Sequence, residues 1–149
     1  MLSNSAELSH ASQPIFAGRL PETIATDTSI APTKLPERFR GGLSPRALRR
    51  VRDYVEVHLD ETISLDVLAG IAGLSMYHFA RAFKQSEGVT PHEYIVHRRV
   101  RHGLELLADT DLPLSEIALA LGFSDQSHFA RRFREHVGVT PSSYRWSMR

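Results

Sequence analysis

Apolar residues along this chain recur in short helical stretches divided by polar punctuation. Leu48, Val51, Val55 and Leu59 stand three or four apart, the spacing of one buried helical stripe. Ser44-Pro45 precedes them as an N-cap followed by proline at the first helical position, which predicts a first helix at about 44–59. Ser64 can cap a second helix that turns Leu65, Leu68, Ala69 and Ala72 inward. Gly73 then supplies a left-handed turn residue, Ser75 caps a third helix, and Gly88 ends it. Thr90-Pro91, with Glu93 three residues after the threonine, reads as a capping box that opens a longer helix to about Ala108. Val100, Leu104 and Leu107 give that helix an inner face.

The pattern then repeats. Leu65 to Ser75 matches Leu114 to Ser124 at an offset of 49, with leucine, alanine, glycine and serine in step. His78-Phe79-Ala80-Arg81-Ala82-Phe83-Lys84 matches His128-Phe129-Ala130-Arg131-Arg132-Phe133-Arg134 at an offset of 50, so one residue is inserted between Ser124 and His128. Gly88-Val89-Thr90-Pro91 with Tyr94 matches Gly138-Val139-Thr140-Pro141 with Tyr144. Each copy is a short helix, a tight turn and a longer helix. In the second copy Gly122, Ser124, Gly138 and Thr140-Pro141 repeat the punctuation, while Pro113 stands where Ser64 stood and cannot cap through its side chain.

An alanine four residues before a turn glycine, twice over (Ala69 and Gly73, Ala118 and Gly122), each time ahead of a basic amphipathic helix, is the helix-turn-helix pattern. The small alanine lets the second helix cross the first closely. On the longer helices Phe79 and Phe83, with Met76 near them, face a core, as do Phe129, Phe133 and Val137. The opposite stripes carry Tyr77, Ala80, Arg81 and Lys84 in one copy and Ser127, Ala130, Arg131 and Arg134 in the other. A small residue beside an arginine suits a major groove, where the arginine can fork onto guanine O6 and N7. Lys84 and Arg134, one turn on, are assigned to phosphates, together with Ser75 and Ser124 at the helix starts and Arg98 and Arg99 on the connecting helix. That connecting helix, at about 1.5 Å per residue, would span about 27 Å, against about 34 Å between successive major-groove faces. The two stripes differ, so the expected site is asymmetric.

A net charge of +1 over 149 residues looks weak for such a role, but its distribution changes the picture. Residues 74–102 and 122–149 each carry net +3, and the acidic stretch 103–121 between them carries net −4. A nucleic-acid footprint needs local rather than global charge. Arg46, Arg49, Arg50 and Arg52 read instead as a solvated face with i,i+4 pairs Arg49–Asp53 and Arg52–Glu56. Arg132 faces solvent or phosphate, and Phe123, Tyr144 and Trp146 read as packing residues.

Other chemistry is poorly served. There is no cysteine, which removes disulfides, thiolate metal sites and a cysteine nucleophile. His92, His97 and His102 are five apart and off one helical face, and no His-Glu-x-x-His occurs, so neither a metal, a cofactor nor an enzyme activity is expected. His78 and His128 recur at matching positions, for DNA contact or local packing. No apolar run approaches the roughly 18 residues of a membrane span. Residues 1–43, rich in Ser, Thr and Pro and without periodicity, are expected to be a disordered tail or linker.

The duplicated motif resembles the DNA-binding domain of the AraC/XylS family of bacterial regulators. The likeness is carried by Ile117-Ala118-Leu119-Ala120-Leu121-Gly122-Phe123-Ser124-Asp125-Gln126-Ser127-His128-Phe129-Ala130-Arg131-Arg132-Phe133 and by Gly138-Val139-Thr140-Pro141-Ser142-Ser143-Tyr144-Arg145, and it covers about 44–149. It implies an all-α fold of seven helices in two helix-turn-helix subdomains joined by a long helix. The subdomains are expected at about 63–88 and 113–138, with the connecting helix at about 91–108 and a last helix at about 141–147. It also implies cytoplasmic promoter binding and activation by contact with RNA polymerase. By motif position, base reading falls on Tyr77, Ala80 and Arg81 and on Gln126, Ser127, His128, Ala130 and Arg131, while Asp125 is expected to cap its helix. Residues 1–43 are too short for the effector-binding domain that many members carry, so the expectation is a small single-domain member that binds as a monomer, with no small-molecule effector domain in the chain.

Overall fold

The computed structural model describes residues 41–149, and these are all-α. The tail expected over 1–43 lies outside the described residues except for its last three. Seven helices follow: α1 Pro45–Val57, α2 Leu65–Ala72, α3 Met76–Glu87, α4 Pro91–Asp109, α5 Leu114–Ala120, α6 Gln126–Val137 and α7 Pro141–Ser147. No described helix is long and apolar enough to cross a membrane. The residues form two compact units, one ending at Arg98 and the other beginning at Arg99, so α4 contributes to both.

The first unit is built from α1 to α3 and the start of α4. Side-chain caps open its helices: the Ser44, Ser64 and Ser75 hydroxyls accept from the backbone N–H of Ala47, Val67 and His78, and Thr90 does so for Glu93. Val51, Val55, Leu68, Ala69, Phe79 and Phe83 close the core. Leu43 belongs to it as well, buried and with its N–H donated to the Ser86 hydroxyl at 2.8 Å, so packing begins before the first helix. Ile95 is a further core residue from α4, missed because it precedes the stretch read as that helix's inner face. Arg52 and Glu56 do not pair along α1. Arg52 reaches Glu87 of α3, with its Nε donating at 2.7 Å, and Glu56 takes Arg98. Partners brought in by folding have displaced the local pair.

Tyr94 lies edge-on to Phe83, ring centroids 5.4 Å apart. Burial pushes its phenol up from 10.0 to about 12.

The second unit packs Val100, Leu107, Ile117, Ala118, Leu121, Phe123, Phe129 and Phe133. Leu104, expected on the inner face of α4, is only half-buried, because Gly103 takes the place nearest the core. A Cβ on Gly103 would lie 3.0 Å from Leu121 and 3.2 Å from Phe129, so α4 runs close to both side chains where a glycine permits it. At the far end of α4, Arg145 donates to the carbonyls of Leu107 and Thr110 at 3.4 and 3.2 Å, satisfying helix-end acceptors from a distant part of the chain. Trp146 does not pack α7. It is 82% exposed, and α7 is held instead by buried Pro141 and by Tyr144 against Phe133.

Two outcomes are expected. Gly103→Val should lower stability by about 1–3 kcal/mol through overpacking, read as a fall in the urea midpoint. An unchanged midpoint would mean the approach of α4 to Leu121 and Phe129 is slack. Tyr94 has a folded value above its usual one, so the fold favours the neutral phenol. Its contribution is complete below pH 10 and drains away as the pH rises toward 12. Stability of wild type relative to Tyr94→Phe, followed from pH 9 upward, should therefore decline only above about pH 10.

Candidate nucleic-acid interface

Both turns are closed by the same backbone device. Gly73 and Gly122 adopt φ of 73° and 86°, a region that a Cβ disfavours. Their N–H groups bond the carbonyls of Gly70 and Leu119, and the next residues, Leu74 and Phe123, bond back to Ala69 and Ala118 at 3.0 Å. The alanines are buried at 2% and 0%, so the longer helix crosses over a residue with almost no side chain.

The inserted residue sits within the second turn, and its effect is specific. Asp125, not Ser124, caps α6, accepting from His128 N at 2.8 Å. Ser124 is left to the histidine ring: its hydroxyl lies 3.2 Å from His128 Nδ1, as Ser75 lies 3.0 Å from His78 Nδ1 in the first copy. Ser75 serves as both cap and ring partner, and the insertion has split those two tasks between neighbouring residues. His128 also lies edge-on to Phe123. Exposed His78 and half-covered His128 thus repeat the same local contact with a turn serine.

On α3, Phe79 and Phe83 are fully buried, while Tyr77, Arg81 and Lys84 are exposed and Ala80 is half-covered. Met76, expected near the core, is instead 46% exposed at the start of the helix. Tyr77 and Arg81 form a unit: the hydroxyl accepts from the guanidinium at 3.3 Å, and the guanidinium lies 5.7 Å from the ring centroid. On α6, Phe129 and Phe133 are fully buried, and Gln126, Ser127, Arg131 and Arg134 are exposed, with Ala130 and His128 half-covered. Val137, expected inside, is only partly covered. Buried His136 takes an inner place, its Nδ1 2.8 Å from the Arg132 carbonyl. Ser75 and Ser124 are exposed at the helix starts.

The connecting-helix arginines stand differently. Arg98 is paired with Glu56 and the Arg99 guanidinium lies 5.9 Å from the Phe123 ring centroid, both half-buried. Their immediate surroundings are protein, which weakens their assignment to phosphates. Arg132 likewise turns to Glu135, at 2.6 Å, with its side chain 19% exposed.

Ala130, Arg131, Arg134, Glu135 and Thr140 line one open hollow of about 520 Å³. Thr140 was marked in the sequence only as the start of the last helix, and Glu135 did not stand out. The available signal for Glu135 was its place four residues after Arg131, on the same face.

Comparison with known proteins agrees with this geometry. A family described as a helix-turn-helix domain matches residues 68–147, more than half of the chain. The probable transcriptional regulator LumQ of Photobacterium leiognathi is 38% identical over 77 residues, covering 52% of this chain and 31% of its own. The chain thus spans less than a third of that relative's length. An AraC-type transcriptional regulator structure from Chromobacterium violaceum superposes with TM-score 0.65 at 31% identity, covering 69% of this chain and 92% of that one. The DNA-binding domain of AdpA, a global transcriptional factor solved in complex with a target DNA, superposes with TM-score 0.64 at 29% identity, covering 68% and 91%.

If Asp125 holds the start of α6, Asp125→Ala should cost about 1 kcal/mol, within 0.5–2, and Asp125→Ser much less. Thermal unfolding followed by circular dichroism would read both, and equal stability of all three proteins would remove the cap from the account. With two such helix-turn-helix units and these relatives, the chain belongs to the AraC/XylS family of helix-turn-helix regulators.

Proposed function

We propose that this chain is a sequence-specific regulator of transcription that binds double-stranded DNA through α3 and α6. The observation that carries this reading is the sorting of those two helices. Each buries a phenylalanine pair completely and presents, on the opposite side, a half-covered alanine next to an exposed arginine. The alanine leaves room for a base edge, and the arginine offers the donor fork that guanine accepts in the major groove. The likeness to the AdpA domain, solved on a target DNA, supports it.

In this reading Arg81 and Arg131 discriminate bases, with Tyr77 steadying Arg81. Gln126, Ser127 and His128 lie at the entry of α6 and join the reading there. Lys84, Arg134 and the two turn serines, Ser75 and Ser124, meet phosphates. The two stripes present different side chains, so the site is asymmetric and is read as two half-sites in successive major grooves by a monomer. Location in the cytoplasm and activation through contact with RNA polymerase follow from the family resemblance.

Binding of the purified protein to promoter fragments, followed at several salt concentrations, tests this. Affinity should fall steeply as salt rises, because each neutralised phosphate releases counterions. Arg81→Ala and Arg131→Ala should each lose about 1–3 kcal/mol, mainly on the enriched fragments, and Lys84→Ala should weaken all fragments alike and reduce the salt slope by about one. Absence of salt-dependent binding at low salt would overturn the proposal and point to a protein partner instead.

A further inference from the structure

The two reading arginines are held by different chemistry. Arg81 rests on a neutral partner, Tyr77, and the residue four places after it is Gln85. Arg131 has Glu135 at the corresponding place, with Oε2 at 3.9 Å from its Nε. The other carboxylate oxygen, Oε1, accepts from Arg132 at 2.6 Å, and Arg132 is largely covered. Glu135 is thereby pinned on one side by a side chain that cannot swing freely, and offers its free edge to the exposed Arg131. It also lines the hollow that holds Ala130, Arg131 and Arg134.

From this we infer that Glu135 is a positioning residue for selectivity in the second half-site, an inference that rests on Arg131 reading a base. An exposed pair at this distance adds little to stability, so its effect belongs to binding. The carboxylate, 3.9 Å away, draws the guanidinium toward its own side of the helix, so that other bases require the pair to break while a correctly placed guanine does not. The first half-site, with Gln85, lacks this control, so α6 discriminates more sharply relative to its contribution to affinity.

The test compares dissociation constants for two probes: the duplex most enriched by the wild-type protein from a randomised pool, and a shuffled duplex of the same composition. Glu135→Gln keeps an acceptor for Arg132 and removes the charge, and a melting curve equal to wild type confirms the fold. The ratio of the two constants should drop about threefold or more, chiefly because the shuffled duplex binds more tightly. In an Arg131→Ala background Glu135→Gln should leave the ratio unchanged, which a purely structural or long-range charge effect would not do. A ratio unaltered by Glu135→Gln, or lowered equally in both backgrounds, overturns the inference while base reading by Arg131 stands. Should the wild-type protein enrich no sequence, that reading itself fails before any variant is made, and the inference falls with it.

Discussion

The longer helix of each helix-turn-helix unit is fixed in rotation by two phenylalanines one turn apart, Phe79 and Phe83 on α3 and Phe129 and Phe133 on α6, all four fully buried. Burial of such a side chain stabilises by about 1.5–3 kcal/mol relative to exposure, and the rings meet their neighbours at centroid distances of 5.3 to 5.9 Å. With 3.6 residues per turn, pinning one side of a helix leaves no choice about the other. The stripe through Ala80 and Arg81, or Ala130 and Arg131, points outward because the phenylalanines cannot. The aromatic core is therefore the positioning device of the outer face as well as the source of stability.

That dependence explains what could be read before folding was considered. Periodicity and caps are local properties: serines at helix starts, glycines at turns and the phenylalanine pairs state their roles within four residues of themselves. The stripes opposite the phenylalanines follow from the same arithmetic. What was not legible depends on contacts across the fold. Arg52 has Glu56 within reach on its own helix and still pairs with Glu87, and Glu56 takes Arg98. Gly103 looks like a weak point in a helix until Leu121 and Phe129 are found against it. In both cases the deciding partner comes from another part of the chain.

The two copies also show which parts of the motif tolerate change. The backbone closure of the turn, from the residue after the glycine to the alanine before it, is the same at 3.0 Å in both. The cap is not: a serine hydroxyl in one and an aspartate carboxylate in the other serve equally, since the orphan N–H requires only an oxygen at the right distance. An extra residue could enter the second turn because it fell between these two requirements. Leu74 remains 39% exposed in the shorter turn, whereas Phe123 in the longer one is buried at 3%.

Trp146 is the chain's single tryptophan, and it stands on the outside. Its indole is already in water when the protein is folded, so intrinsic fluorescence will change little as the cores melt. The same exposure makes the emission a sensitive gauge of local cover. Whatever settles on the end of α7, a neighbouring protein surface or a quencher in solution, alters the light from one known position, without a label and without a background from any other indole.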